Sequence, residues 1–389
     1  MVYNNQIGTE CITATQVNII FNTRLFWREL LYWSRAFFNS VFSNIGSAQE
    51  VFTRLYYTPA GYAHMLQLIL DRRVSDRFTA LFDQYIIILR ELVRAAANGE
   101  TETVNKSVSD LYSNSKERAE FLSEVFPSLD KDVLEQMFNI FVQYEIKEIN
   151  AYIMQDYGQM IETYDDLLIH TDKTADYLSQ GIINLITAAP ISADSAGDSN
   201  NKGPGICITR NELNTILDIS MFWLDLFSWL RAYRISVISG IGNQELLYNR
   251  LLRVTTDFGN IMKTFLDDEI VNTHIMLIQE YLWLMDQLLK SRMADDIEEM
   301  NRIYQLTIDN IDERAKFLGS AFPSTDVSEW RNLLIKFHTY LIGMSGAFLS
   351  GDYAANIEIF DGLINQAEDM GSLFIEALFD SLSSNDIPA

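Results

Sequence analysis

Few residues in this chain are equipped for chemistry. Its four histidines are His64, His170, His274 and His338. A di-iron centre in a helical bundle uses Glu-x-x-His pairs, because that spacing sets two ligands on one helix face. The residues three before the histidines are Gly61, Leu167, Val271 and Ile335, so no such pair exists. Glu162 and Asp165 have a spacing that would suit a carboxylate metal site, but it is also that of an ordinary solvated helix face. Cys11 and Cys207 are the only cysteines, each followed by Ile-Thr and neither next to a histidine that would activate a thiol. Two cysteines make neither a disulfide framework nor a Cys-type zinc site. Each is expected to be a small hydrophobe plugging a bundle end. Phosphate-binding loops and G-x-S-x-G elbows are absent. No catalytic residue, metal ligand or cofactor is assigned, and the chain is expected not to be an enzyme.

The sharper polar signal is an arginine stripe. Along residues 24–42, Arg24, Arg28, Arg35 and Asn39 fall on one line at the helical period, and most of the rest is aromatic or aliphatic. A helix apolar nearly all round lies inside, and a buried arginine needs a partner. The matched stripe further along reads Ser220, Leu224, Arg231 and Ile235, so only Arg35 has an arginine counterpart. Acids at matched positions are Asp71 and Asp267, Glu117 and Glu313, Glu162 and Glu358, Asp165 and Asp361. The expected buried polar cluster is therefore Arg35, Tyr85, Glu117, Glu162 and Asp165 in one half, and Arg231, Tyr281, Glu313, Glu358 and Asp361 in the other. An internal arginine–carboxylate clamp is the first expectation; a ligand-binding arginine is the second.

These matches exist because the chain is written twice. Sliding it by 196 residues lays CITATQVNII (11–20) on CITRNELNTI (207–216) and ERAEFLSEVFPS (117–128) on ERAKFLGSAFPS (313–324). About 45 of about 176 aligned positions are identical with no gap, the mark of a duplicated unit. Residues 1–187 form the first copy, 188–206 a Ser-, Gly-, Asp- and Asn-rich linker, and 207–389 the second copy. The linker fails as a calcium loop, since Lys202 stands where an oxygen ligand belongs.

Apolar residues at i, i+3, i+4 and i+7 predict helices near 14–43, 74–97, 101–125, 131–155 and 158–187, with shorter pieces near 48–57 and 60–70. Asn98-Gly99 is a stop signal, and Pro127 followed by Ser-Leu-Asp (128–130) ends one helix and caps the next. Strand alternation is missing. The expected fold is all-α, a tandem of up-and-down bundles of four to five helices.

Composition narrows the function. The 389 residues include 29 basic and 53 acidic ones, a net charge of −24. Residues 1–196 hold 15 basic against 25 acidic, a net of −10, so both copies are acidic. Nucleic-acid binding by phosphate neutralisation is excluded on this ground, and no stretch is long enough for a membrane span. The start lacks a signal-peptide pattern, so synthesis in the cytoplasm is expected, with deposition in a spore or outside the cell left open. Six tryptophans among 23 phenylalanines and 18 tyrosines are expected mainly in the core, with self-assembly through exposed aromatics as the alternative.

The order FWxxLxxWSR (26–35), TRL (53–55), ERAEFL…FPS (117–128) and DYxxxIxxYD (156–165) resembles a group of short all-helical proteins of spore-forming bacteria. Many carry an "acetylglutamate kinase" label, which a pattern without a phosphate loop does not support. Three histidines recur in that group; here their places hold Leu30, Tyr85 and Phe141, and again Leu226, Tyr281 and Phe337. The resemblance thus implies the fold and carries over no histidine site. The chain is expected to be a structural or interaction protein that self-associates or binds another protein, associated with sporulation. The alternative is a small-molecule-binding protein or enzyme with an Arg/acid/Tyr pocket in each bundle.

Overall fold

The computed structural model describes residues 11–188 and 208–384, and these form twelve helices. The first copy supplies α1 (Ala14–Phe42), α2 (Ala48–Leu66), α3 (Arg72–Asn98), α4 (Thr101–Val125), α5 (Lys131–Met154) and α6 (Tyr157–Ala188). The second repeats the series as α7 (Arg210–Ser239), α8 (Gln244–Met262), α9 (Asp268–Met293), α10 (Ile297–Ala321), α11 (Val327–Leu349) and α12 (Tyr353–Ser384). The architecture is all-α. In the first copy consecutive helices pack side by side and α6 returns against α1, closing the bundle.

Local chemistry sets the boundaries. Thr13 and Gln16 form a reciprocal capping box at the start of α1, and Thr209 with Glu212 does the same before α7. The Asp130 carboxylate accepts from the backbone N–H groups of Asp132 and Val133, satisfying two of the donors that the first turn of α5 leaves unpaired. Gly99 ends α3 at φ 73°, a left-handed conformation that costs a glycine little.

Two expectations on elements change. The two short pieces near 48–57 and 60–70 are one helix, α2, which stands beside the five long helices of the first copy. Pro59 lies inside α2 and lacks the donor that would bond a turn back, a defect of about 3 kcal/mol. The buried stripe Val51, Phe52, Leu55, Tyr62, Ala63 and Leu66 holds the helix together on both sides of it. Cys11, secondly, is exposed and disulfide-bonded, not a hydrophobic plug. Just beyond it, Ile12 and Ile208 exchange two backbone hydrogen bonds of 2.9 and 3.0 Å. The matched segments that open the two copies thus pair with each other. Cys207, Lys202 and the linker beyond Ala188 lie outside the described residues.

Two compact units result, Met1–Leu213 and Asn214–Ala389. The first unit includes Ile208 through the pairing with Ile12, so the division falls in the first turn of α7. No helix among the described residues is long and apolar enough to cross a membrane.

Candidate functional site: a buried polar centre in each bundle

The arginine stripe of α1 is placed by its helical period against α6. Arg24 binds Asp176 through Nε and Nη2, both at 2.7 Å. One turn on, Arg28 binds Asp172 through Nε at 2.9 Å and Nη2 at 2.7 Å. Two parallel forks register α1 on α6, and a bidentate arginine–carboxylate bond is the strong geometry for such a pair. Burial opposes the charged form of Asp172, yet Arg28 and Arg24 hold its carboxyl below the ordinary value.

Deeper in the first bundle sits a more unusual group. Arg118 of α4 is 1% exposed and lies over the rings of Phe82, Tyr85 and Phe138 at 4.6–5.0 Å. Tyr85 of α3 donates its hydroxyl to Glu145 Oε1 on α5. Three residues on, Glu148 meets Arg35 of α1 at 3.9 Å, and Arg35 lies 4.4 Å over the ring of Tyr164. Glu145 and Glu148 are both fully enclosed. Several polar atoms here have no hydrogen-bond partner: Arg118 Nε and Nη1, Glu145 Oε2 and both Glu148 carboxylate oxygens. Loss of water therefore dominates. Burial pushes the Glu145 carboxyl up to about 8 and that of Glu148 up to about 7, and pulls Arg118 down to about 10.

The second bundle keeps the place and changes the chemistry. Leu341 and Met344 replace Glu145 and Glu148. Arg231 now gives Nε and Nη2 to Asn356 Oδ1 at 3.2 and 2.8 Å, and Asn356 in turn donates to the Met344 carbonyl at 2.8 Å. Tyr281 OH contacts His338 Nδ1 at 3.2 Å, under the Arg314 guanidinium at 5.4 Å from its ring. A second internal arginine, Arg234, donates to Ser345 Oγ at 2.6 Å and to the Met285 carbonyl at 3.0 Å. His274 is buried against Phe258, Phe317 and Phe374 with neither ring nitrogen hydrogen-bonded. Burial and the nearby arginines lower His274 to about 3 and His338 to about 4, so both are neutral at pH 7.

The expected clusters are thus half assembled. Arg35 and Tyr85 are in the first centre, and Arg231 and Tyr281 in the second, with Glu145, Glu148 and Asn356 as further members that the sequence did not single out. Glu117 is half-buried beside Arg118, which takes the core-facing position; Glu162, Glu313 and Glu358 are exposed, and Asp165 and Asp361 half-buried. Asp71 accepts from the Arg73 backbone at 2.7 Å to cap α3, and Asp267 stands at the N-cap of α9 without a capping bond. Arg35 meets Glu148 and Tyr152, and Arg231 meets the Asn356 amide. One signal could have found the hidden acids: Glu145 and Glu148 align with Leu341 and Met344, and an acid matched to an aliphatic residue marks a core-facing position. Similarly, Arg24 and Arg28 are four apart, as are Asp172 and Asp176. Among the described residues no group of three or more His, Cys, Asp or Glu could hold a metal ion.

What the two copies share is the pinning of helices. Asn114 donates to the Leu81 carbonyl at 3.0 Å, and its match Asn310 donates to the Leu277 carbonyl at 3.2 Å. Arg54 lies 5.1 Å over Trp33, and Arg250 lies 4.8 Å over Trp229. His170 Nε2 bonds the Met137 carbonyl at 2.8 Å; the matched Gln366 donates to the Leu333 carbonyl at 2.7 Å. A glutamine thus makes in one copy the bond that a histidine makes in the other. Five tryptophans are buried, and Trp283 alone of the six is half exposed. Comparison with known proteins returned no matching family model, curated protein or solved structure.

Proposed function

We propose that the chain is a non-enzymatic structural or interaction protein, built from two helical bundles and self-associating through exposed apolar side chains. The observation that carries this reading is the set of matched pins: the polar residues held in common tie helices to one another, while the acids of the first centre have no counterpart in the second. The centres line neither of two surface grooves, one of about 210 Å³ over Leu92, Val104 and Ile149 and one of about 430 Å³ over Asn260, Asn272 and Gln279, and the cavity that His274 does border is about 10 Å³ and apolar. Large apolar side chains are exposed at the same register in both copies: Ile87 at 51% and Trp283 at 49%, Ile153 at 52% and Leu349 at 38%. These are the positions proposed to meet a second copy. A disulfide at Cys11 favours deposition in an oxidising place, such as a spore surface or the outside of the cell.

Light scattering on the full chain at micromolar concentration tests this. The mass is expected to exceed the monomer and to rise with salt, because two bodies of net charge −24 repel until screened. Ile87→Glu with Trp283→Glu should return it to monomer. A strict monomer at every salt concentration, with no partner retained in a pull-down, refutes the reading. The rival, a pocket around Arg35 and Arg231, predicts that Arg35→Met with Arg231→Met abolishes binding of a small molecule and leaves stability unchanged. Loss of bundle stability in that variant supports the structural role.

A further inference from the structure

Duplicated bundles of one fold would be expected to answer pH alike, but here the two centres hold opposite kinds of enclosed titratable group; His170 of the first bundle, also lowered by burial, is only part-buried and lies outside the centre, on the Met137 carbonyl. Glu145 and Glu148 project from one face of α5 into the first core, both sealed from bulk solvent. Facing them are Ser34 and Arg35 from α1, Tyr85 from α3, Arg118 from α4, Tyr152 on α5 itself and Tyr164 from α6. Ionising both carboxyls puts two negative charges one helical turn apart in that enclosed core, where three of their four oxygens accept no hydrogen bond. In the second core the imidazoles of His274 and His338 take the places of Phe78 and Val142. His338 faces Arg234 from α7, Tyr281 from α9 and Tyr304 from α10. His274 faces Arg314 and Phe317 from α10, Phe258 from α8 and Phe374 from α12. The charged groups beside both imidazoles are arginines, so a proton added to either ring meets a like charge in a core sealed from bulk solvent.

We propose that the two bundles loosen at opposite ends of the pH scale, the first as the medium turns alkaline and the second as it turns acid. The first bundle would then be tightest on the acid side and the second from 6.5 upward, so that one half opens while the other holds. The signs follow from proton linkage. The folded-state values of Glu145 and Glu148 lie above those of the unfolded chain, near 4.5. Their contribution is full below that value and is lost as pH rises through about 7 and about 8. Raised tyrosine hydroxyls occur in both bundles, Tyr85 and Tyr152 in the first and Tyr233 and Tyr281 in the second, and do not distinguish the halves. His274 and His338 have folded-state values below the unfolded 6.5, so their contribution is full above that value and is lost as pH falls toward about 4 and about 3.

Hydrogen exchange read by mass spectrometry on the full chain, corrected for the intrinsic rate, separates the halves. Between pH 7 and pH 9, protection in α3, α4 and α5 should fall on the order of tenfold through Glu145 and about twofold through Glu148, while α9 and α11 hold. Between pH 7 and pH 5, α9 and α11 should lose on the order of tenfold per imidazole, while α3 to α5 hold or gain. Exchanging residues between copies identifies the cause: Glu145→Leu with Glu148→Met should flatten the alkaline response, and His274→Phe with His338→Val the acid one. The proposal is overturned when both halves lose protection at the same end of the scale, or when folded variants keep the wild-type slope. Should a variant fail to fold, the opposed slopes of the wild-type chain decide the matter alone.

Discussion

Trp27→Ala is expected to destabilise the first bundle by about 3–5 kcal/mol, the range for emptying a large aromatic site in a core that only partly collapses. Trp27 is fully buried at the meeting of three helices besides its own neighbour Phe26. It stacks on Phe138 of α5 at 5.8 Å and meets Phe82 of α3 and Phe141 of α5 edge-on at 5.7 and 5.5 Å. Phe82 and Phe138 are also two of the rings under Arg118. Removing the indole thus undermines the platform on which the buried guanidinium rests. At about 2–4 °C per kcal/mol for a unit of this size, one calorimetric transition should drop by on the order of 10 °C while the other stays. A loss under 1 kcal/mol would show that the aromatic cluster is not the organising core.

Arg314→Met is expected to act in the opposite direction and stabilise the second bundle by about 1–4 kcal/mol. Arg314 is 2% exposed and burial lowers it to about 10, with the Tyr281 hydroxyl as the main group favouring its charge. Its match in the first copy, Arg118, has Glu145 nearby; Arg314 has Leu341 at that place. Methionine keeps the stem's packing and removes a desolvated charge. Because Arg314 also holds His274 down, the substitution should raise the His274 value from about 3, which imidazole resonances would report. The expected readout is a higher urea midpoint with unchanged slope. A lower midpoint would mean that the guanidinium's position over the Tyr281 ring outweighs its desolvation.

The contrast between these residues shows how far the sequence could be read. The helical period, the Gly99 and Pro127 stops and the Asp130 cap are local, and each sits where the local rules place it. Pro59 breaks the local rule because packing on both sides of it is not local. Arg118 and Glu117 are neighbours about 100° apart on one helix, so the ERA motif that marks both copies cannot by itself tell which residue faces inward. Glu145 and Glu148 occupy a stretch, VQYEIKEIN (142–150), whose acids look solvated until set beside Leu341 and Met344.

By itself the sequence determined that this chain is helical, that it is one unit written twice at a spacing of 196, and that both units are acidic. Periodicity, caps and repeats are written along one dimension, and charge is a sum. Tertiary structure alone decided that Glu148 and not Glu117 meets Arg35, that Asp172 and Asp176 receive the arginine stripe, and that Ile12 pairs with Ile208. Partners for a buried charge come from other helices, and their identity depends on how α1 is rotated and set against α5 and α6. That rotation is fixed by the joint packing of aromatic rings from several helices at once, a sum of contacts that no single segment carries.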